Sequence, residues 1–228
     1  MLYGRVRPNS LLSSLPESGG RQRFQGLEQV ELAFGQVLHE AGKRVRHVYF
    51  PTDSLVSVLS QAKGLIPVEL GVVGRDGMVG VCVALGAANS GSRALVQGAG
   101  SALRASTEDF MKAFARRRTM RADIRRYSND LANQFIETAS CNRNHATAQR
   151  MARWLLMMRD RLSVARYGLT QKYLGYMLGV RRAAVNEAAG KLQRAGLIRF
   201  VRGSIEITDV QGLVAASCAC YHSWKPAP

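Results

Sequence analysis

The hydrophobic pattern of the chain changes its period once, near Thr107. From Val30 to about Ser106, short apolar runs with alternating polar residues are separated by turns that contain glycine. Beyond Thr107 these turns disappear and the apolar residues recur at helical spacing. Short strands at near-regular intervals with glycine turns are typical of a barrel or sandwich. The pattern predicts an α+β chain in which an N-terminal barrel or sandwich of strands precedes a set of helices.

The first long helical segment has a narrow apolar stripe and an arginine-rich start. The stripe consists of Ile124, Tyr127, Leu131, Phe135 and Thr138. Steps that alternate between three and four residues are those of a two-helix seam. We therefore predict that this helix joins two copies of the chain. Packing of the stripe against the chain's own barrel is the alternative.

Two short helices separated by a glycine follow a second amphipathic helix. Thr170 can cap the first of them, and Gly179 can end it in the left-handed conformation. The second runs from about Arg181 to Ala195, and a hairpin with a basic tip at 202–204 comes after it. Two helices joined by a tight glycine turn form a helix-turn-helix, and the hairpin adds a wing. The second helix of such a unit can enter the major groove of DNA.

The outer face of that second helix carries side chains that can read DNA. Arginine can bond bidentately to guanine, and asparagine to adenine. We therefore predict base contacts from Arg182, Arg181 and Asn186. Basic side chains elsewhere on the motif can neutralise phosphates. The predicted phosphate contacts are Lys172, Lys191, Arg194, Arg199 and Arg202.

The net charge favours a polyanionic partner. The 32 Lys and Arg against 16 Asp and Glu give a formal charge of +16. Residues 1–115 hold 12 basic and 9 acidic side chains, and residues 116–228 hold 20 and 7, so the net charges are +3 and +13. Such a balance suits nucleic acid or an anionic membrane surface, and a solvated basic surface is the alternative. The longest weakly polar run, 79–88, is far shorter than the roughly 20 residues of a membrane-spanning helix.

Barrel, long helix and winged helix, in this order, resemble the Crp/Fnr family of bacterial transcription regulators. The resemblance is carried by LTQKYLGYMLGVRRAAVNEAAGKLQRAGLI (169–198) and the following VRGSIEI, while VYFPTDSLVSVL and GVVGRDGMVGVCVALG look like the family's sensor barrel. It implies a homodimer that binds a two-fold operator in double-stranded DNA, in the cytoplasm and away from membranes, with RNA polymerase as a further candidate partner. An effector in the barrel would reposition the DNA-binding helices.

The resemblance also implies a domain order. Residues 1–22 lie before the resembling segments, and their richness in Ser, Gly, Pro and Arg predicts a flexible leader. Residues 23–115 would form a jelly-roll-like, cyclic-nucleotide-binding-like sensor barrel. Residues 116–145 would form the dimerisation helix, and residues 146–228 the winged helix-turn-helix DNA-binding domain. Within that domain, Arg182 aligns with an arginine that reads guanine in relatives, whereas Ala183 and Glu187 replace two other usual base readers. The family's common half-site is therefore not expected.

The effector pocket departs from the nucleotide-binding pattern of the family. The residues at the matching positions are Gly80, Val81, Arg93 and Ala94, so the glutamate after the glycine and the hydroxyl after the arginine are both replaced. Without the carboxylate, a ribose hydroxyl loses its acceptor, which costs roughly 1–3 kcal/mol. We expect no cofactor and no binding of cyclic nucleotide, and another small effector stays open.

The four cysteines, Cys82, Cys141, Cys218 and Cys220, are too few for a disulfide scaffold. None lies near the N-terminus, where the iron–sulfur branch of the family has its cluster. Cys141 and His145 share a helical face, and Cys218-x-Cys220-x-His222 is compact. Both groups could bind metal, since thiolate and imidazole suit zinc. The alternative is a buried helix pair and a C-terminal tail, and it is the one that we favour.

Two other functional classes stay open at this point. The chain could be a ligand-sensing module that acts through protein partners, in which case its basic half would only be solvated. It could also be an enzyme that uses a Cys–His pair, which needs a thiolate in a cleft beside a base. We expect no enzyme.

Overall fold

The computed structural model describes residues 9–13, 24–60, 67–162, 166–168, 171–201 and 204–223. The chain divides into two compact units. The first comprises Met1–Ser60 and Gly71–Asn133, and the second comprises Gln61–Leu70 and Gln134–Pro228. The division falls inside the long helix, not at its two ends.

The strands that precede the helices lie in two antiparallel sheets. They are β1 Glu28–Leu32, β2 Val37–His39, β3 His47–Pro51, β4 Leu55–Leu59, β5 Glu69–Val73, β6 Arg93–Gly98 and β7 Gly100–Ser106. One sheet has the order β1-β7-β3 and the other has the order β2-β6-β4-β5. The predicted α+β class is confirmed, but the closed barrel is wrong for the described residues. Among the described residues, the end strands of one sheet do not pair with those of the other, so the two sheets do not close.

The apolar core of the first unit lies between the β1-β7-β3 sheet and the helix that contains Phe110 and Phe114. Phe50 of β3 packs on Phe110, with ring centroids 6.3 Å apart. Phe110 in turn stacks on Phe114 at 5.7 Å. Met78 and Ile124 complete this buried cluster. Removal of such large side chains from water supplies the main driving force for folding of the unit.

Part of the predicted flexible leader is anchored in this core. Asn9 is fully buried, and its Nδ2 donates to the carbonyl oxygens of Pro51 at 2.9 Å and Gly77 at 2.8 Å. Leu12, in helix α1 (Ser10–Ser13), is buried beside the core. Residues 9–13 are therefore fixed to the first unit, and the rest of the leader lies outside the described residues.

The change of period at Thr107 marks the start of helix α2, Thr107–Arg116. The side chain of Ser106 accepts a hydrogen bond from the backbone N–H of Asp109 and so caps the helix. Arg117 has an extended backbone and ends α2. Helix α3 then runs over Arg118–Asn144, across the division between the units.

The part of the predicted dimer stripe that lies in the first unit packs against its own chain. Ile124 and Leu131 are buried, and the Tyr127 hydroxyl donates to the Met78 carbonyl at 3.1 Å. This packing is the intramolecular alternative to the seam. The reason is that a helix spacing specifies a buried face but not the partner that buries it.

The second unit consists of helices around a small sheet. Its elements are α4 Thr147–Arg161, β8 Arg166–Gly168, α5 Gln171–Leu178, α6 Arg182–Arg194, β9 Ile198–Val201, β10 Ser204–Ile207, α7 Val210–Ala216 and α8 Cys220–Ser223. The sheet has the order β8-β10-β9. Helix α4 packs on α5, α6, α7 and α8 and so forms the centre of this unit.

We expect Asn9→Ala to lower the free energy of unfolding by about 1–3 kcal/mol, because it leaves two buried carbonyl groups without their donor. The midpoint of urea unfolding measures the change. Ser13→Ala, at an exposed residue of the adjoining helix α1, is the matched control and should stay within about 0.5 kcal/mol of wild type. Equal midpoints for the two variants would contradict the anchoring.

Candidate nucleic-acid interface

The turn between α5 and α6 is tight and depends on two glycines. The backbone N–H of Val180 donates to the Gly175 carbonyl at 3.0 Å. A Cβ on Gly175 would lie 3.0 Å from the Val180 carbonyl oxygen, so a larger residue would push the turn open. Gly179 has a φ of +61°, in the left-handed region that glycine adopts without strain. This confirms the helix-turn-helix that the sequence predicts.

The inner face of α6 holds the helix in place. Its buried residues are Val185, Ala188, Ala189 and Leu192, as the apolar spacing predicts. Helix α6 packs on α4 and α5 through this face. The opposite face is therefore fixed in an outward orientation.

The first turn of α6 presents the predicted base contacts. Arg182 and Asn186 are exposed. Arg181 is the exposed N-cap residue, and its side chain makes no capping hydrogen bond. In helix-turn-helix proteins the N-terminal residues of the recognition helix contact the base edges. The structure thus brings all three predicted base readers to one end of one helix.

Two of the predicted phosphate contacts form ion pairs within the chain. Lys191 Nζ lies 2.8 Å from Glu187 Oε1, one helical turn earlier. Arg199 Nη2 lies 2.8 Å from Glu206 Oε2 on the facing strand. Hydrogen bonding and charge from Lys191 lower the pKa of Glu187 below its usual range, so this carboxylate stays ionised. DNA phosphates would compete with both carboxylates for these cations.

The other predicted phosphate contacts are less fully placed. Arg194 is exposed in the last turn of α6. Lys172 belongs to α5 by its backbone, and its side chain is outside the description. Arg202 and Thr170 also lie outside the described residues.

The predicted wing is a hairpin of β9 and β10, in which Phe200 faces Ile205 and Arg199 faces Glu206. A third strand, β8, pairs with the other side of β10. The sequence analysis missed β8, because three residues are too few to show a period. The wing is therefore the edge of a sheet, which holds the hairpin in place.

Two contacts that support the interface were also missed. Arg150 on α4 is buried and donates from Nη2 to the carbonyl of Leu178, the last residue of α5. Trp154 donates from Nε1 to Oε1 of the buried Glu69 at 2.7 Å. The sequence signal that could have indicated these contacts is the presence of Arg150 and Trp154 beside the apolar Met151 in the same helix.

The predicted effector residues lie in strand β6 and near the short 3₁₀ turn after Gly80 in the first unit. Arg93 Nε lies 3.3 Å from Glu40 Oε2, so its charge already has a counter-ion. Ala94 is fully buried in β6, and Val81 packs against the apolar core. Gly80, with a φ of +90°, precedes the short 3₁₀ turn that holds Val81.

Comparison with known proteins agrees with this geometry. The family model of the Crp-like helix-turn-helix domain matches residues 149–216. No curated protein sequence matches the chain. None of the described helices is long and apolar enough to cross a membrane.

Several solved structures share the fold of the chain. FixK2 from Bradyrhizobium japonicum aligns with a TM-score of 0.71 and 15% identity, over 85% of this chain and 98% of that one. A CRP-family transcriptional regulator from Thermus thermophilus aligns with a TM-score of 0.68 and 16% identity, over 82% of this chain and 96% of that one. A CooA mutant from Carboxydothermus hydrogenoformans aligns with a TM-score of 0.62 and 14% identity, over 94% of this chain and 97% of that one.

Residues 149–216 thus form a Crp-like helix-turn-helix domain. This domain spans α4 to α7, and the fold shared with these solved structures extends over most of the remaining chain. Helix α6 is the exposed basic helix of the domain.

We expect Glu187→Gln to strengthen the binding of random duplex DNA, because it frees Lys191 for a phosphate. The logarithm of affinity should fall more steeply with the logarithm of salt concentration, by about 0.9 for one added phosphate contact. Fluorescence anisotropy over a salt series measures this slope. Glu31→Gln, which removes the same charge from the exposed strand β1, is the control and should leave the slope unchanged. A common change in both variants would indicate an effect of net charge alone.

Proposed function

We propose that the chain is a Crp/Fnr-type transcription regulator that acts in the cytoplasm as a homodimer and binds a two-fold operator. The observation that carries the proposal is the first turn of α6, where Arg181, Arg182 and Asn186 are exposed on a helix whose other face is buried. The dimer axis must match the operator axis, so the two half-sites lie about 34–36 Å apart. RNA polymerase is a further partner of a regulator that activates transcription.

Arg182 is the main base reader in this proposal. It lies at the first position of α6, where a guanidinium can bond bidentately to guanine O6 and N7. Ala183 and Glu187 are exposed on the same helix but offer no cation. The half-site is therefore distinct from the one read by relatives with a different set of side chains.

A different face of α3 supports the dimer. Asn129, Ala132, Ile136 and Ala139 are exposed and follow each other at steps of three and four residues. Ile136 is 67% exposed and is, with Phe34 and Leu85, one of three exposed large hydrophobic side chains among the described residues. Alanines on either side of it allow a second helix to approach closely. This face replaces the buried stripe as the proposed seam.

The proposed regulator does not bind cyclic nucleotide and is not an enzyme. Arg93 is neutralised by Glu40, and the carboxylate that would accept from a ribose hydroxyl is replaced by Val81. Any effector of the first unit would therefore use other contacts. The support for a binding role without catalysis is the DNA-binding domain itself.

We expect Arg182→Ala to weaken binding of the specific duplex by about 1–3 kcal/mol, because one bidentate base contact is lost. Binding of a random duplex should change little. Operators selected from a random duplex pool provide the specific sequence, and titration by anisotropy gives both affinities. An equal loss on both duplexes would make Arg182 a phosphate contact, and an affinity that is insensitive to salt would favour a module that acts through protein partners.

We expect Ile136→Glu to disrupt the dimer. A charge buried in an apolar seam costs about 3 kcal/mol or more, which raises the dimer dissociation constant more than a hundredfold. Sedimentation velocity at several concentrations measures it. Leu85→Glu, at an apolar residue that is 64% exposed in the first unit, is the matched control and should remain dimeric. If both variants dimerise like wild type, the seam lies on another surface.

A further inference from the structure

Three cysteines and one histidine from distant parts of the chain meet in the second unit. Cys141 is in the last turn of α3, and His145 follows the end of that helix. Cys218 and Cys220 come from the segment after α7. The three sulfur atoms and a histidine nitrogen all lie within 4.8 Å of one another.

The distances fit a tetrahedral metal site. Cys141 Sγ lies 3.5 Å from Cys218 Sγ, and Cys220 Sγ lies 3.6 Å from His145 Nδ1. Zinc binds thiolate sulfur at about 2.3 Å and imidazole nitrogen at about 2.0–2.1 Å, so neighbouring ligand atoms of a tetrahedron are about 3.5–3.8 Å apart. A disulfide would require sulfur atoms about 2.05 Å apart. The group is therefore spaced for an ion at its centre.

The local structure explains why the four side chains converge. Cys141 and His145 are four residues apart, and the N–H of His145 still donates to the Cys141 carbonyl at 3.1 Å, so both point from one side of the helix. The turn at Ser217 directs Cys218 inward, where it is buried. His145 and Cys220 are half-buried. The site is thus closed on the core side and open enough at its outer side for an ion to enter.

Two buried arginines beside the cluster supply a second, independent observation. Arg150 and Arg153 are only 8% and 6% exposed. Among the described residues, the Nε atom of each has no hydrogen-bond partner. Arg153 is close enough to Cys141 and Cys220, and Arg150 to Cys141 and Cys218, for their charges to interact.

Neutral thiols leave these two guanidinium charges poorly compensated. A buried cation without a counter-charge costs several kcal/mol. Zinc with three thiolates and one neutral imidazole carries a net charge of −1, which places a negative charge beside the two arginines. Their free N–H groups can then donate to the metal-bound sulfur atoms, the outer-shell contacts that tune metal sites.

We propose that Cys141, His145, Cys218 and Cys220 bind one zinc ion. Four protein ligands leave no open coordination position, which is the arrangement of a structural site and not of a catalytic one. Binding releases the three thiol protons to solvent. The ion ties the end of α3 to the segment that carries Cys218 and α8. His222 is not a ligand, since it is exposed and its ring packs on Tyr221.

Metal analysis of the full-length protein tests the proposal without reference to DNA. Protein purified under reducing conditions with zinc present should retain about one zinc per chain after gel filtration, measured by inductively coupled plasma mass spectrometry. Replacement by cobalt(II) should give the strong visible bands of tetrahedral cobalt and a thiolate charge-transfer band in the near ultraviolet.

Variants of the two half-buried ligands separate binding from folding. Cys220→Ser and His145→Gln should each lower zinc affinity at least tenfold and weaken the tetrahedral cobalt bands, with the far-ultraviolet circular dichroism retained. Arg153→Met should lower affinity by about 10–100-fold through the outer shell. Cys82→Ser and His222→Gln are the matched controls, because they make the same substitutions at residues outside the cluster. Both should bind zinc like wild type.

Three results would overturn the proposal. The first is no retained zinc in reduced wild-type protein, and the second is an equal loss of zinc in the ligand and control variants. The third is an intact mass two hydrogens lighter with no metal, which would indicate a disulfide between Cys141 and Cys218. The DNA-binding function could stand in each of these cases, because the metal readout does not depend on it.

Discussion

Burial of arginine in helix α4 constrains the whole second unit. A guanidinium taken out of water needs hydrogen-bond acceptors or a counter-charge. Arg150 donates to the carbonyl of Leu178 at the C-terminal end of α5, where the helix dipole is negative. That bond holds the end of α5 against α4. The turn through Gly179 then determines where α6 begins, and with it the direction in which Arg182 points.

The parts of this unit that the sequence predicts are those with local causes. The glycine turn, the apolar inner face of α6 and the β9–β10 hairpin each follow from residues close in sequence, and the structure has all three. Strand β8 depends on pairing with β10, which lies far along the chain, and its own three residues carry no signal. The exposure of the predicted base readers could also be predicted, because residues of α6 that are not on its buried face lie on its exposed face.

The errors concern partners that lie far away in sequence. The period of α3 identifies the stripe with Ile124 and Leu131 as buried, but the same period serves a dimer seam and a core. Closure into a barrel depends on hydrogen bonds between the edge strands of two sheets, which alternation within a strand does not specify. The sequence around Asn9 has the composition of a flexible leader. Its anchoring depends on hydrogen bonds to the carbonyl groups of Pro51 and Gly77, which lie far away in the sequence.

The cysteine cluster and the buried arginines have the same physical explanation. Spacing in the sequence offers two separate half-sites, Cys141 with His145 and Cys218 with Cys220, and each alone has an ordinary structural explanation. Packing of α7 and α8 on α4 brings the halves together, on the helix that carries Arg150 and Arg153. A core that buries two cations beside three thiols is unfavourable while the thiols are protonated. It becomes a compensated site once a divalent ion holds them as thiolates, so the arginines explain why the cluster would favour metal over free thiols.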